Sequence, residues 1–186
     1  MEIIRRQALQ EGRWRNGMGV SWDIASDPAQ AEDFGWRFAI ARIDSDVPFS
    51  LYPDVDRIFT LIDGEGLTLE FQGKSPLVVE RLFVPQPFAC DVPTFCRLRK
   101  GPCKALNLFT RRGRWSVMVD ILSSGADLSH DGPILLFALQ GPADVHGEIL
   151  EEGDAAIANG QLRAKTNGFL YAAKLVSSSA GDALEG

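Results

Sequence analysis

The sequence predicts an all-β protein built as a sandwich or a barrel, and three observations lead to this prediction. Short runs of β-branched and aromatic residues recur along the 186-residue chain. Pro and Gly recur between these runs, where turns are needed. Only two short stretches could be helical, so strands account for most of the chain.

The individual strands follow from period-two alternation and from turn signals. Trp36 to Ile40 alternates large and small side chains. Arg57 to Ile62 meets the turn signal Asp63-Gly64-Glu65-Gly66, and Leu67 to Phe71 then alternates, which predicts a hairpin. Further predicted strands are Leu77 to Phe83, Thr94 to Leu98, Ala105 to Thr110, Trp115 to Leu122, Ile134 to Gln140, Gly147 to Leu150, Gln161 to Ala164 and Phe169 to Val176.

The two stretches with helical potential are both short. Pro28 to Asp33 could form a single short helix, whereas Asp154 to Asn159 is not expected to be helical. The tail Ser177 to Gly186 is small, polar and acidic, and we expect it to be disordered.

A weak internal repeat favours a double-stranded β-helix, also called a jelly roll. In residues 61–71 and again in residues 136–150, an apolar strand ends in Gly and a second strand follows. An aspartate near a turn comes next, at Asp91 and Asp154. We therefore expect one compact unit over residues 1–176, with an N-terminal barrel over about 1–122 and a smaller β half over about 123–176.

Charge and composition limit the partners of the chain. The formal net charge is −6, which argues against a nucleic-acid partner because phosphate binding needs a basic surface. No apolar run approaches the ~20 residues of a membrane-spanning helix, and the first residues lack the apolar segment of a secretory signal. Three cysteines do not make a disulfide framework. We expect a cytoplasmic protein with no membrane partner.

Residues for metal or cofactor chemistry are scarce in the sequence. A metal site in a barrel of this kind needs a His-x-His pair with a nearby carboxylate, but the two histidines lie apart at His130 and His146. His130 falls in a turn sequence, and the strand around Arg57 offers a cation instead of ligands. The cysteine spacing does not match a zinc site, and there is no G-x-S-x-G nucleophile motif. We expect no metal, no cofactor and no catalytic residue.

Recognition residues remain, and the first group lies between Trp14 and Ile24, which reads W-R-N-G-M-G-V-S-W-D-I. Asn16, Gly17 and Gly19 can adopt positive φ or allow a close backbone approach. A glycine-rich turn between tryptophans is a candidate wall of a small-molecule pocket.

The second candidate is Arg57, which alternates with Phe59 and Leu61 on its strand. If that face points inward, Arg57 is a semi-buried cation that needs a carboxylate partner. Asp56 or Asp91 could be that partner. Alternatively, a ligand carboxylate could bind the planar guanidinium through two hydrogen bonds.

Asn107 and an aromatic-proline loop complete the candidates. Asn is disfavoured within strands, so Asn107 needs a hydrogen-bonding partner from the backbone, from water or from a ligand. Phe49, Ser50 and Tyr52 precede Arg57 and could line the same pocket or pack as a turn.

Taken in order, these segments resemble the HutD/Ves family over roughly residues 3 to 175. The residues that carry the resemblance are Trp14-Arg15-Asn16-Gly17, Gly19, Ile24, Phe34, Trp36-Arg37-Phe38, Ala41, Pro48-Phe49-Ser50, Asp56-Arg57, Leu61, Gly64, Gly66, Pro87-Phe88, Asp91, Asn107-Leu108 and Arg111-Arg112. The resemblance implies a cupin-like fold in a bicupin-like arrangement of two halves, without the usual metal centre. It also implies a bacterial protein associated with histidine utilisation.

The leading hypothesis is a non-enzymatic regulator that binds a small carboxylate, such as urocanate or N-formylglutamate. Arg57 would bind the carboxylate, Asn16, Asn107 and the backbone of Gly17 to Gly19 would add hydrogen bonds, and Trp14, Phe49 and Tyr52 would supply apolar walls. Two other functions fit the sequence. One is a metal-independent isomerase or hydrolase of a small organic acid, using Asp56, Asp91 or Tyr52. The other is an interaction module that forms a homodimer through strand edges.

Overall fold

The computed structural model describes residues 1–29 and 33–178. Residues 30–32 of the predicted short helix over 28–33 and residues 179–186 of the predicted disordered tail over 177–186 lie outside these residues. In the described part of the chain the elements are one turn of 3-10 helix at Arg6–Ala8 and the strands β1 (Glu2–Ile4), β2 (Glu11–Arg13), β3 (Val20–Asp27), β4 (Trp36–Ile43), β5 (Val47–Pro48), β6 (Val55–Asp63), β7 (Leu67–Phe71), β8 (Leu77–Val79), β9 (Pro85–Ala89), β10 (Thr94–Leu98), β11 (Cys103–Arg111), β12 (Trp115–Leu122), β13 (Ala126–Gln140), β14 (Ala143–Val145), β15 (Glu148–Leu150), β16 (Ala155–Thr166) and β17 (Phe169–Ser177).

The all-β prediction is confirmed, and each predicted strand corresponds to a strand of the structure. Two strands are much longer than predicted, because β13 begins at Ala126 and β16 begins at Ala155. The stretch from Asp154 to Asn159 therefore enters a strand, as its lack of helical signal predicted. The main omission is β3, whose eight residues follow the glycine-rich turn directly.

The chain divides into two compact units, and the first spans Leu9–Phe109. It contains a six-stranded sheet in the order β2-β3-β4-β11-β6-β9 and a four-stranded sheet in the order β5-β10-β7-β8. Apolar residues from both sheets form one core, which explains the alternation of each strand. This core comprises Ile43, Val47, Phe49, Phe59, Leu61, Leu67, Leu69, Val79, Cys96, Cys103 and Ala105.

The predicted hairpin between residues 57–62 and 67–71 is wrong. β6 pairs with β9 in the six-stranded sheet, whereas β7 pairs with β8 and β10 in the other sheet. Gly64 and Gly66 both have positive φ, at 103° and 100°, and lie so close to neighbouring backbone that a Cβ would clash. These glycines let the chain cross from one sheet to the other instead of folding back on itself.

The second unit comprises Met1–Ala8 and the chain from Thr110 onward. Its seven-stranded sheet has the order β12-β17-β13-β16-β14-β15, with β1 also paired to β16. The strand β12 pairs with β17 along its whole length, so it belongs to this unit and not to the N-terminal barrel expected to end near residue 122.

A buried carboxylate holds the N-terminal segment onto the second unit. The Asp154 side chain is only 5% exposed and forms an ion pair of 2.8 Å with Arg5. It also accepts hydrogen bonds from the backbone amides of Arg6 and Glu151. Burial alone would raise the pKa of Asp154, but these hydrogen bonds and the Arg5 charge lower it below its ordinary value.

His130 does not lie in a simple turn as predicted. It is paired in β13, just before a register shift that skips residues 131–133, where Gly132 and Pro133 interrupt the ladder. Its ring Nε2 lies 2.6 Å from the carbonyl oxygen of Leu175, within hydrogen-bond distance. The described residues contain no helix long and apolar enough to cross a membrane.

Candidate ligand-binding site

A small cavity opens in the first unit on one face of four neighbouring strands, β3, β4, β11 and β6. Its volume is about 40 Å³. On the same measure one water molecule needs roughly 10–15 Å³, so the cavity has room for about three waters or one carboxylate group. The lining residues are Trp14, Ser21, Arg37, Ala39, Ala41, Ile43, Phe49, Ser50, Tyr52, Arg57, Phe59, Asn107 and Phe109.

The cavity exists because small side chains occupy the middle of β4. Arg37, Ala39, Ala41 and Ile43 alternate on the face of β4 that lines the cavity. On the neighbouring β11 and β6, larger side chains occupy the same face. The two alanines therefore leave a gap beside the apolar core that aromatic side chains only partly close.

Arg57 is the buried cation of this cavity. Its side chain shares a face of β6 with Phe59 and Leu61, which belong to the core, and the residue is only 7% exposed. In the described part of the chain its guanidinium forms no ion pair with a carboxylate, and its Nε has no hydrogen-bond partner. A buried charge without a carboxylate partner costs free energy, which other interactions have to offset.

Three aromatic rings surround the guanidinium of Arg57. Its Cζ lies 4.5 Å from the centroid of Phe109, 4.9 Å from that of Phe49 and 5.3 Å from that of Phe88. Phe88 is the direct cross-strand neighbour of Arg57 on β9. Ring faces stabilise a cation without providing a hydrogen-bond acceptor. One side-chain hydrogen bond joins Arg57 to the thiol of Cys90, and the buried Nε–H of Arg57 remains without an acceptor and available to an anion.

The charge of Arg57 also affects the pKa of the nearby thiol of Cys90. Burial raises the pKa of Cys90, and the nearby guanidinium of Arg57 opposes that rise without cancelling it. The negative charges of Asp56 and Asp91 raise the pKa of Cys90 further. Cys90 therefore remains a neutral thiol near neutral pH and does not neutralise the arginine.

Two neutral polar groups of the cavity also lack hydrogen-bond partners among the described residues. Asn107 is 2% exposed, and its Nδ2 donates to the carbonyl of Ala105, which leaves its Oδ1 without a donor. The hydroxyl of Ser50 is likewise buried and unpartnered. Such groups are rare in folded proteins, so the cavity is prepared for a bound polar molecule or ordered water.

The cavity lining contains a second arginine, Arg37, whose partly exposed side chain marks the solvent side of the cavity, called the mouth. Arg37 donates from Nε and Nη2 to the same oxygen of Asp23, at 2.8 and 2.5 Å. Its Nη1 lies 3.5 Å from the hydroxyl of Tyr52, at the limit of hydrogen bonding. The rings of Tyr52 and Phe109 pack together with centroids 5.6 Å apart, so both arginines adjoin the same aromatic group.

The glycine-rich turn positions a wall of the cavity and does not itself line it. The amide of Trp14 donates to the carbonyl of Gly19, and its indole N–H donates to the carbonyl of Val20. A Cβ on Gly19 would lie 2.4 Å from the Trp14 ring, so only glycine lets that ring cross the turn. The side chain of Asn16 is exposed and donates to the carbonyl of Pro48.

Five of the ten predicted site residues line the cavity, namely Phe49, Ser50, Tyr52, Arg57 and Asn107. The other five lie outside its lining. Asn16 and Gly17 are exposed, Gly19 supports Trp14, Asp56 is half-buried on the opposite face of β6 and Asp91 is exposed.

The lining residues of β3 and β4, Arg37 above all, were not among the site residues predicted from the sequence. One signal was available, because the alternation of Trp36 to Ile40 places small residues on the same face as Arg37. Ser21 on β3 also lines the cavity, but nothing in the sequence pointed to it, because the strand itself was not predicted.

Other potential sites are less developed. A wider depression of about 700 Å³ lies on the second unit, but exposed polar side chains line it, including the 2.8 Å ion pair between Asp127 and Arg163. Among residues 1–29 and 33–178, no three His, Cys, Asp or Glu side chains form a group that could hold a metal ion.

The chain matches the model of one protein family, HutD, over residues 6–172. It belongs to the HutD family. The family resemblance deduced from the glycine-rich turn, Arg57 and Asn107 is thereby confirmed.

Relatives of the family extend the comparison. Protein Ves of Citrobacter koseri is 34% identical over 122 residues, which are 65% of this chain and 63% of that protein. An uncharacterized 21.2 kDa protein in the hutC 3′ region of Pseudomonas putida is 28% identical, over 78% of this chain and 77% of that protein. The HutD family is thus linked to the histidine-utilisation region.

Among solved structures, HutD from Pseudomonas fluorescens SBW25, described as a formate condition, matches with a TM-score of 0.86 and 25% identity. The match covers 95% of this chain and 98% of that one. The chain therefore has the all-β, cupin-like fold of the HutD family.

Proposed function

We propose that this protein is a regulator of histidine utilisation that binds a small carboxylate metabolite in the cavity around Arg57. The observation that carries the proposal is Arg57 itself, a buried cation with no carboxylate partner among the described residues. A ligand carboxylate provides the missing charge and accepts two hydrogen bonds from the guanidinium.

The unpartnered neutral groups define the rest of the ligand. Ser50 can donate its hydroxyl proton to the same carboxylate, whereas Asn107 Oδ1 needs a donor. The imidazole N–H of urocanate, the formamide N–H of N-formylglutamate or a bound water would supply it. The cavity volume admits one carboxylate group, so a larger ligand extends through the mouth.

The regulatory part of the proposal rests on the family and its genetic link. A relative encoded in the hutC 3′ region suggests a function close to histidine breakdown. We propose that binding senses or buffers an intermediate of that pathway in the cytoplasm, with no metal and no cofactor. We also propose that the two units are the two halves of a bicupin.

The experiment is isothermal titration of the protein with formate, urocanate, N-formylglutamate, glutamate and histidine. Arg57→Met removes the charge and keeps an apolar side chain of similar length. Two charge-assisted hydrogen bonds are each worth about 1.5–3 kcal/mol, so we expect the variant to lose about 100-fold or more in affinity.

Arg42→Met is the matched control. Arg42 lies on the same strand as Arg37 but pairs with Asp44 at 2.9 Å and does not line the cavity. Its variant should bind like the parent. Unchanged affinity in Arg57→Met would contradict the proposal. Conversion of any of these compounds during incubation would also contradict it, because the protein would then be an enzyme.

A further inference from the structure

We infer that Arg37 is a second anion-binding residue and that the ligand is a dicarboxylate, with one carboxylate on Arg57 and the other on Arg37. The inference rests on the proposed function, since it assigns a ligand class to the same cavity. It is carried by a separate observation, namely the placement of a second guanidinium at the mouth.

The two guanidinium groups are held at a limited distance by one aromatic ring. The Cζ of Arg57 lies 4.5 Å from the centroid of Phe109, and the Cζ of Arg37 lies 5.9 Å from it. The two Cζ atoms are therefore no more than 10.4 Å apart.

A short dicarboxylate can span two arginines within that limit. The carboxyl carbons of a four- or five-carbon diacid lie about 4–5 Å apart in an extended chain. A guanidinium Cζ stands about 4 Å from the carbon of a carboxylate that it binds. If the diacid and its two arginine contacts do not lie on a straight line, the two Cζ atoms can be about 10 Å apart. The limit of 10.4 Å is thus compatible with one diacid that contacts both guanidinium groups.

The hydrogen bonds of Arg37 leave one nitrogen available. Its Nε and Nη2 both donate to a single oxygen of Asp23, which leaves Nη1 with only the 3.5 Å contact to Tyr52. A carboxylate at the mouth can accept from Nη1 and from the hydroxyl of Tyr52 together. Asp23 can stay in place during binding, because it uses the other edge of the guanidinium.

Asp23 holds Arg37 in position, and Arg37 can still bind an anion. The Arg37 side chain is 20% exposed, whereas that of Asp23 is 58% exposed. An exposed carboxylate is well solvated and contributes little as an ion-pair partner. The exposed acid therefore interacts only weakly with Arg37, and the guanidinium can still attract a second ligand carboxylate.

The cavity volume indicates that one carboxylate lies inside beside Arg57 and that the other lies further out beside Arg37. About 40 Å³ accepts one carboxylate group beside Arg57 and excludes the chain that follows it. That chain must pass the mouth, and the lining contains three half-buried polar residues, Arg37, Ser50 and Tyr52, of which Arg37 alone is charged. Arg15 is a further cation nearby, with its Cζ 5.7 Å from the Tyr52 ring, but it is exposed and does not line the cavity.

The test compares matched mono- and dicarboxylates by isothermal titration at low salt. Butyrate and glutarate are the probes, with the parent protein and the variants Arg37→Met, Arg37→Lys, Arg15→Met and Arg42→Met. In the parent we expect glutarate to bind about five- to tenfold more tightly than butyrate, the gain of one partly exposed ion pair. That gain should shrink as salt is added.

In Arg37→Met the advantage of glutarate should disappear, while butyrate affinity stays within twofold of the parent. Arg37→Lys should recover part of the advantage, because it keeps the charge but loses the planar fork. Arg42→Met should behave like the parent, and so should Arg15→Met. Unfolding midpoints of all variants show that each one is folded.

The outcomes separate the two proposals. Glutarate and butyrate binding equally in the parent, or Arg37→Met weakening both equally, would overturn the dicarboxylate inference and leave carboxylate binding by Arg57 intact. Loss of the advantage in Arg15→Met alone would assign the second contact to Arg15 and also overturn it. No binding of either probe to the parent would overturn the proposed function together with the inference.

Discussion

Replacing Arg57 with Met should make the ligand-free protein more stable while it abolishes binding. The guanidinium is 7% exposed, and no carboxylate of the described residues pairs with it. Leaving a charge buried without compensation costs about 3–5 kcal/mol. Met fills most of the same volume with apolar atoms and removes that cost.

The magnitude follows from the rings around the charge. At a desolvated site one cation–π contact is worth about 2 kcal/mol, and three rings that share one guanidinium do not add in full, so we take about 2 kcal/mol for the three contacts at 4.5–5.3 Å together. The parent therefore retains a net cost of about 2 kcal/mol at this position, which Arg57→Met should return as stability. At about 2–4 °C per kcal/mol for a chain of this size, the unfolding midpoint should rise by roughly 4–8 °C.

The assay is differential scanning calorimetry of both proteins in a buffer free of carboxylates and phosphate. The comparison is then repeated with added ligand, which stabilises only the parent by mass action. Added ligand should raise the unfolding midpoint of the parent but not that of Arg57→Met, so the difference between the two midpoints should shrink or change sign. A midpoint lower than that of the parent without ligand would refute the reasoning, since it would mean that Arg57 stabilises the fold itself.

Three further predictions follow from local contacts. Asp154→Asn should lower the unfolding free energy by about 2 kcal/mol at pH 7, because the neutral amide loses the ion pair with Arg5. Since the pKa of Asp154 is lowered by folding, this stabilisation is present above about pH 4 and is lost at lower pH, so urea unfolding of parent and variant should converge in acid. Gly19→Ala should cost about 1–3 kcal/mol and change tryptophan fluorescence by displacing Trp14, whereas Gly12→Ala, whose Cβ would meet only a backbone oxygen at 3.7 Å, should leave both unchanged. Burial raises the pKa of all three cysteine thiols, so none should react rapidly with a disulfide reagent at pH 8 until the protein unfolds, and fast labelling of the native protein would contradict their burial.

Alternation along the chain was enough to predict the strands and to group Arg57 with Phe59 and Leu61 on one face, and the structure shows that this face points inward. Phe59 and Leu61 share its parity and belong to the core, and a period of two leaves no other direction for the arginine side chain. Asn107 was found for a similar reason, since a polar amide in the middle of a strand has to be satisfied.

Pairing between strands could not be predicted in the same way. The turn at Gly64 and Gly66 has the composition of a hairpin, yet it carries the chain from one sheet to the other. Local sequence reports that a turn occurs, whereas the partner of each strand depends on which apolar faces close over one core.

The sequence by itself determined that this chain is all-β, that it belongs with HutD and Ves proteins and that a cation lies among aromatic residues. These properties depend on residue type and on periodicity along the backbone. Only the tertiary structure decided that Arg57 lacks a carboxylate partner among the described residues, that the glycine-rich turn supports Trp14 and that Arg37 stands at the mouth of the same cavity. The facts about Arg57 and Arg37 depend on contacts between strands far apart in sequence, which the packing of the two sheets sets, and the role of the turn depends on where the Trp14 ring lies over Gly19.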